Sequence, residues 1–124
     1  MNQKILVADD EPNIVISLEY LLKREGYTVL IARDGQEALE TIAREQPDLV
    51  LLDVMMPKKT GFEVCQSVRA NDKLQATKIL MLTARGRDTD VTKGLALGAD
   101  AYITKPFSTR ELVQKVAQML TGLA

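Results

Sequence analysis

"VLLDVMMPKKTG", Val50 to Gly61, decides how the rest of the chain is read. An apolar run delivers one carboxylate, Asp53, and breaks at once into two methionines, a proline and a basic loop that ends in glycine. A strand that is apolar throughout belongs in a parallel sheet covered on both faces. An acid at its tip is therefore held on a rigid support.

The same pattern recurs on either side. "KILVA" (Lys4 to Ala8), "TVLIA" (Thr28 to Ala32), "LVLLD" (Leu49 to Asp53), "KILMLT" (Lys78 to Thr83) and "AYIT" (Ala101 to Thr104) read as strands. Helical spacing fills the intervals. Ile14, Leu18, Leu21 and Leu22 form one stripe, closed by Gly26. Ala38, Leu39, Ile42 and Ala43 form a second, and Phe62, Cys65 and Val68 a third. Val91, Leu95 and Leu97 suggest a weaker helix stopped by Gly98. Ser108 to Glu111 has the pattern of a capping box, opening a last helix with Leu112, Val113, Val116 and Leu120. Five strand–helix units predict an α/β domain with an open, doubly wound sheet, since a closed barrel needs eight. The 124 residues suit one domain, 1–124.

Composition removes several classes of function. Sixteen basic residues against seventeen acidic ones leave a net charge of -1, with no electrostatic reason to bind nucleic acid or an anionic membrane. No apolar run reaches membrane-spanning length, and no signal peptide is expected. A single cysteine, Cys65, excludes an internal disulfide and fits a reducing, cytoplasmic setting. Histidine is absent, which removes Ser-His and Cys-His catalysis and disfavours zinc.

In open α/β sheets, ligands bind beyond the carboxyl ends of the strands. Those ends carry Asp9, Asp10 and Glu11 on the first strand and Asp53 on the third. The fourth ends in Thr83 before the small Ala84, and the fifth in Thr104 and Lys105 before Pro106. Clustered carboxylates repel one another, and one lysine offsets a single charge. A hard divalent cation fits the deficit, and oxygen donors point to Mg²⁺. Carboxylates, Mg²⁺, a lysine and a hydroxyl together suit a phosphoryl group. Asp53, on the most apolar strand, is the candidate nucleophile for an acyl phosphate. Asp9 and Asp10 are better placed as metal ligands.

At these residues the chain resembles the receiver domain of two-component response regulators. The marks are "ADDEP" (Ala8 to Pro12), "LVLLDVMMPKKTGFEV" (Leu49 to Val64), "MLTAR" (Met81 to Arg85) and "GADAYITKPF" (Gly98 to Phe107). Their order makes the set specific. The resemblance implies a flavodoxin-like (βα)5 fold with a parallel sheet in the order 2-1-3-4-5. It implies that Asp53 accepts a phosphoryl group from a phosphohistidine on a sensor histidine kinase or histidine phosphotransfer protein. It assigns Mg²⁺ to Asp10, Asp53 and the Met55 backbone carbonyl, with Asp9 acting through water. It assigns phosphate contacts to Thr83, the Ala84 backbone and Lys105, and a switch to Thr83 and Tyr102. A cis Lys105–Pro106 bond is implied as well. The output face would be the fourth helix, fifth strand and fifth helix, read by a downstream effector protein or domain.

By position in that family, a partner helix would dock on Asn13, Ile14, Ser17 and Tyr20, beside Pro106. Ile16 and Tyr20 fall off the core stripe of the first helix. A phosphorylation-dependent homodimer is a further expectation. Asp100, Arg110, Glu111 and Lys115 could supply its charge pairs, although Ala101 stands where an acid is common and Val91 where a base is. Met55 and Arg85 flank the site as candidate tuners of the phosphoryl lifetime. The rival readings are a Mg²⁺-dependent phosphohydrolase and a flavin-binding module. The first lacks its usual second acid, since Met55 occupies that position. The second needs a phosphate-binding loop where the acidic "DDEP" stands.

Overall fold

The computed structural model describes residues 3–84 and 86–121. Its strands are β1 (Lys4–Ala8), β2 (Thr28–Ala32), β3 (Leu49–Asp53), β4 (Lys78–Ala84) and β5 (Ala101–Lys105). Its helices are α1 (Pro12–Arg24), α2 (Gly35–Glu45), α3 (Gly61–Arg69), α4 (Asp88–Ala96) and α5 (Thr109–Thr121), with a short 3-10 turn at Asp72–Leu74. All pairings are parallel and the order is β2-β1-β3-β4-β5, as expected. The two strands at the fourth and fifth positions each run one residue further than the apolar pattern suggests.

Alternation along the strands divides the core into two layers. Ile5, Val7, Leu49, Leu51, Leu80 and Leu82 pack with α1 and α5 through Leu18, Leu22, Leu112 and Val116. Leu6, Val50, Leu52, Ile79 and Met81 pack on the other side with Ile42, Val64, Cys65 and Val68. Both faces of β3 are sealed, so its tip cannot tilt without disturbing two layers.

Four local expectations need correction. In α4 the buried residue is Gly94, whereas Leu95 is exposed. Gly94 faces Met81, whose Cγ would stand 3.4 Å from a Cβ placed there, an ordinary van der Waals contact. In α2, Thr41 rather than Ala43 turns inward, and in α1 Val15 is buried more fully than Ile14. At α5, the Ser108 hydroxyl accepts from the Glu111 N–H at 3.0 Å, which is half of the expected capping box. Among the described residues, no helix is long and apolar enough to cross a membrane. The proposed domain limits at residues 1, 2 and 122–124, and the tuner residue Arg85, lie outside the described residues.

Candidate phosphoacceptor site

Strand register assembles the site. Ala8 pairs with Leu52, so Asp9 follows β1 at the level where Asp53 ends β3. Thr83 pairs with Thr104 and Ala84 with Lys105, which brings the fifth strand's lysine to the same rim. Carboxylate oxygens of Asp9, Asp10 and Asp53 lie within 4.8 Å of one another. The Lys105 ammonium is 2.9 Å from Asp9 Oδ2 and 3.5 Å from Asp53 Oδ1.

The three acids differ in setting. Asp9 is fully buried, and both its oxygens are engaged. Oδ1 accepts the Glu11 N–H at 2.9 Å, and Oδ2 accepts from Lys105. Asp10 is exposed, and Asp53 lies between the two. Burial, then the charge of Asp9, pushes the Asp53 carboxyl up to about 6 against the opposing pull of Lys105. Burial also works against the charge on Lys105. The Asp9 hydrogen bond and the charges of Asp53 and Asp9 outweigh it, so the ammonium is held above its ordinary pKa. The cluster is thus short of positive charge, and it offers only oxygen donors. That donor set fits a hard divalent cation.

The loop after Asp53 is closed at its base. Gly61 donates its N–H to the Val54 carbonyl at 2.8 Å, and a Cβ at Gly61 would collide with the Asp53 carbonyl. Glycine is required there by close approach. The Met55 carbonyl accepts no hydrogen bond from a described residue, while its side chain is exposed.

Thr83 is buried, and its hydroxyl makes a long 3.5 Å bond to the Ile103 carbonyl. Tyr102 is 43% exposed. A cavity of about 320 Å³ opens between them, lined by Thr83, Gly86, Val91, Tyr102 and Thr104. The Lys105–Pro106 peptide is cis. On α1, Asn13, Ser17 and Tyr20 are exposed and Ile14 is half-buried, while Ile16 is exposed on the same helix. Arg24 lies over the Tyr20 ring at 5.9 Å.

Two features escaped the sequence reading. Thr60 and Glu63 form a full capping box at α3, with the Thr60 N–H donating to Glu63 at 2.9 Å and the Glu63 N–H donating to Thr60 at 3.2 Å. The T-x-x-E signature was present in "TGFE". Asp100, a candidate for dimer charge pairs, is engaged within the chain. Its Oδ2 accepts from Arg69 at 2.8 Å and from the Ile79 N–H at 2.8 Å.

A family model for the response regulator receiver domain matches residues 5–117. The alkaline phosphatase synthesis transcriptional regulatory protein PhoP of Bacillus subtilis is 53% identical over 120 residues, which is 97% of this chain and 49% of PhoP. The chain thus spans about half the length of that relative. A putative response regulator from Chloroflexus aurantiacus superposes with a TM-score of 0.93 at 36% identity, covering 98% of this chain and 99% of the other. The chemotaxis response regulator CheY4 of Vibrio cholerae gives 0.91 at 34% identity, over 97% of this chain and all of that one (100%).

Proposed function

The chain belongs to the response regulator receiver family, a family of signalling domains, and we propose that it works as a phosphoacceptor switch with Asp53 as the acceptor. The observation that carries this reading is the placement of Asp53. It ends the central strand, with Asp9 and Asp10 oxygens within 4.8 Å and the Lys105 ammonium at 3.5 Å.

The donor is a phosphohistidine on a sensor kinase or phosphotransfer protein. An Asp53 oxygen attacks phosphorus, the P–N bond breaks, and the imidazole leaves with that bond's electron pair. Asp53 must be ionised to attack; in the metal-free site burial raises its carboxyl to about 6, and a bound divalent cation would favour the ionised form. Asp10, Asp53 and the Met55 carbonyl are the donors that would hold Mg²⁺, with Asp9 held one layer further back by Lys105. When bound, Mg²⁺ supplies positive charge that offsets the carboxylates and the incoming phosphoryl oxygens. Lys105 already touches Asp53 and can transfer its contact to a phosphoryl oxygen. The Ala84 N–H and the Thr83 hydroxyl complete the phosphate contacts.

Phosphorylation adds roughly -1.5 to -2 charge and new acceptor oxygens. It shifts the conformational balance only by the difference in contact energy between states. Thr83 gives up one long bond to Ile103 when it turns to phosphate, a small loss. Tyr102 borders the cavity beside it and can fill that space, altering the α4–β5–α5 face. The exposed α1 positions Asn13, Ser17 and Tyr20, with Ile14 and Pro106, form the docking face for the phosphodonor. The similarity to PhoP supports an effector that acts on transcription in a longer regulator.

The test is incubation with a small-molecule phosphodonor and Mg²⁺, read by intact mass. One phosphoryl group should add to the wild type, and none to Asp53→Ala or to the wild type with chelator present. A label that persists in Asp53→Ala would place the acceptor elsewhere.

A further inference from the structure

The corner between β2 and α2 is built against the loop that leaves Asp53. Asp34 caps α2, its Oδ1 accepting the Glu37 N–H at 2.8 Å, and its other oxygen lies 3.7 Å from the Lys58 ammonium. The Gly35 N–H donates across to the Pro57 carbonyl at 3.2 Å. That carbonyl also accepts the Lys59 N–H at 2.8 Å, closing a tight reversal in which Lys58 has φ +72. A Cβ at Gly35 would collide with the Lys59 carbonyl oxygen and stand 2.6 Å from Lys59 Cβ. Gly35 is therefore required by proximity, since the backbone of the loop occupies the space a side chain would take.

The loop is thus gripped twice. Gly61 holds its base on Asp53 and Val54, and Gly35 holds its tip. Met55 lies between the two grips, two residues beyond Asp53 at the end of β3. Moving the tip must tilt Met55 or lift Gly61, because the intervening chain is short and its ends are fixed.

We propose that the β2–α2 corner, acting through Gly35, positions the Val54–Gly61 loop for divalent-cation binding, which makes Gly35 a positioning residue for the metal cluster. The proposal rests on the Mg²⁺ reading of Asp10, Asp53 and the Met55 carbonyl. Groups that orient metal ligands from outside the coordination sphere typically change affinity by about 10- to 100-fold when altered. A displaced carbonyl donor belongs at the lower end of that range.

The experiment is calorimetric titration of Mg²⁺ into the whole chain, at a temperature where every variant is folded by circular dichroism. Gly35→Ala should bind Mg²⁺ about tenfold more weakly than the wild type. Gly26→Ala is the control for a damaged glycine turn. Gly26 has φ +96, and no atom lies within 4 Å of the point where its Cβ would stand, so alanine there strains the backbone without touching the loop. It should lower the melting temperature and leave Mg²⁺ affinity within about twofold. A wild type that takes up no Mg²⁺ defeats the metal reading, and this inference with it. A wild type that binds, with Gly35→Ala binding equally well, overturns the corner's role alone.

A second measurement needs no variant. Coupling free energies are reciprocal, so a corner that favours metal binding must itself be tightened by metal. Hydrogen exchange at the Gly35 amide should slow when Mg²⁺ is added to the wild type. An exchange rate unchanged at saturating Mg²⁺ overturns the proposal even if Gly35→Ala does not fold.

Discussion

Helices α3 and α4 are each nine residues long and flank the same strand, yet they are held very differently. α3 begins in a reciprocal capping box and buries Val64, Cys65 and Val68. α4 begins at Arg87 with no side-chain cap and buries only Gly94. Its ties are at the margins. Lys93 lies 4.5 Å from the Phe62 ring centroid, and Arg87 pairs with Asp90 on the surface. Burial of apolar side chains is the main source of tertiary hold on a helix. α3 follows the loop that carries the acceptor's neighbours, and α4 follows the loop after Thr83. Under the proposed switch, the molecule is firmly packed beside Asp53 and lightly fastened on the face that would carry the response. Regions with few buried apolar contacts open at the lowest free energy.

The largest effect should come from the stiff side. Lys105→Ala leaves the fully buried Asp9 carboxylate without its cation and should destabilise the metal-free protein by about 3 kcal/mol. Chemical denaturation followed by circular dichroism measures it, and added Mg²⁺ should recover part of the loss. An unchanged midpoint would mean the rim does not depend on that pair.

Next comes the direct contrast between the helices. Val64→Ala removes a fully buried side chain from α3 and should cost roughly 2 kcal/mol. Leu95→Ala trims an exposed side chain from α4 and should stay within about 0.5 kcal/mol. Equal losses would erase the distinction between the two helices.

A smaller effect is written in pH. The Asp53 carboxyl is raised from 3.8 to about 6 in the fold, so the native state holds that proton more tightly than the unfolded chain. Its contribution is fully favourable below pH 3.8 and is lost as pH rises through about 6. The Asp53 contribution, obtained by comparing the metal-free wild type with Asp53→Asn, should weaken over that window. After allowance for partial solvent screening, Asp53→Asn should be more stable at pH 7 by about 1 kcal/mol. If the wild type and Asp53→Asn keep the same stability difference at pH 4 and pH 7, the raised carboxyl is wrong.

Much of this design is legible in the sequence, for physical reasons. Strands apolar on both faces leave uninterrupted runs, so all five stand where those runs do. Polar residues at their carboxyl ends have only one rim to meet on. Asp9, Asp10, Asp53 and Lys105 therefore gather there from positions as far as 96 residues apart. α4 is misread because apolar spacing presumes that bulky residues face the core. The buried position of α4, facing Met81, is taken by Gly94, which carries no apolar signal. The ties of Arg69 to Asp100 and of the Gly35 N–H to the Pro57 carbonyl depend on three-dimensional approach between distant segments, which leaves no local pattern.

The smallest test asks whether the firm start of α3 comes from its cap or only from its core. Thr60→Ala removes the hydroxyl that accepts the Glu63 N–H and leaves the buried residues intact. An exposed cap of this kind should be worth roughly 0.5 kcal/mol, so the helix should fray at its first turn without melting. The Glu63 carboxyl is held below its ordinary value chiefly by the Thr60 backbone hydrogen bond. Its contribution is therefore present above the usual glutamate pKa and fades as pH falls through the lowered native value. Amide exchange in the first turn of α3 should rise in Thr60→Ala at neutral pH, while the first turn of α4, which never had such a cap, should exchange as before. If the first turn of α3 is already as open as that of α4 in the wild type, the capping box contributes nothing, and the contrast between the two helices rests on core packing alone.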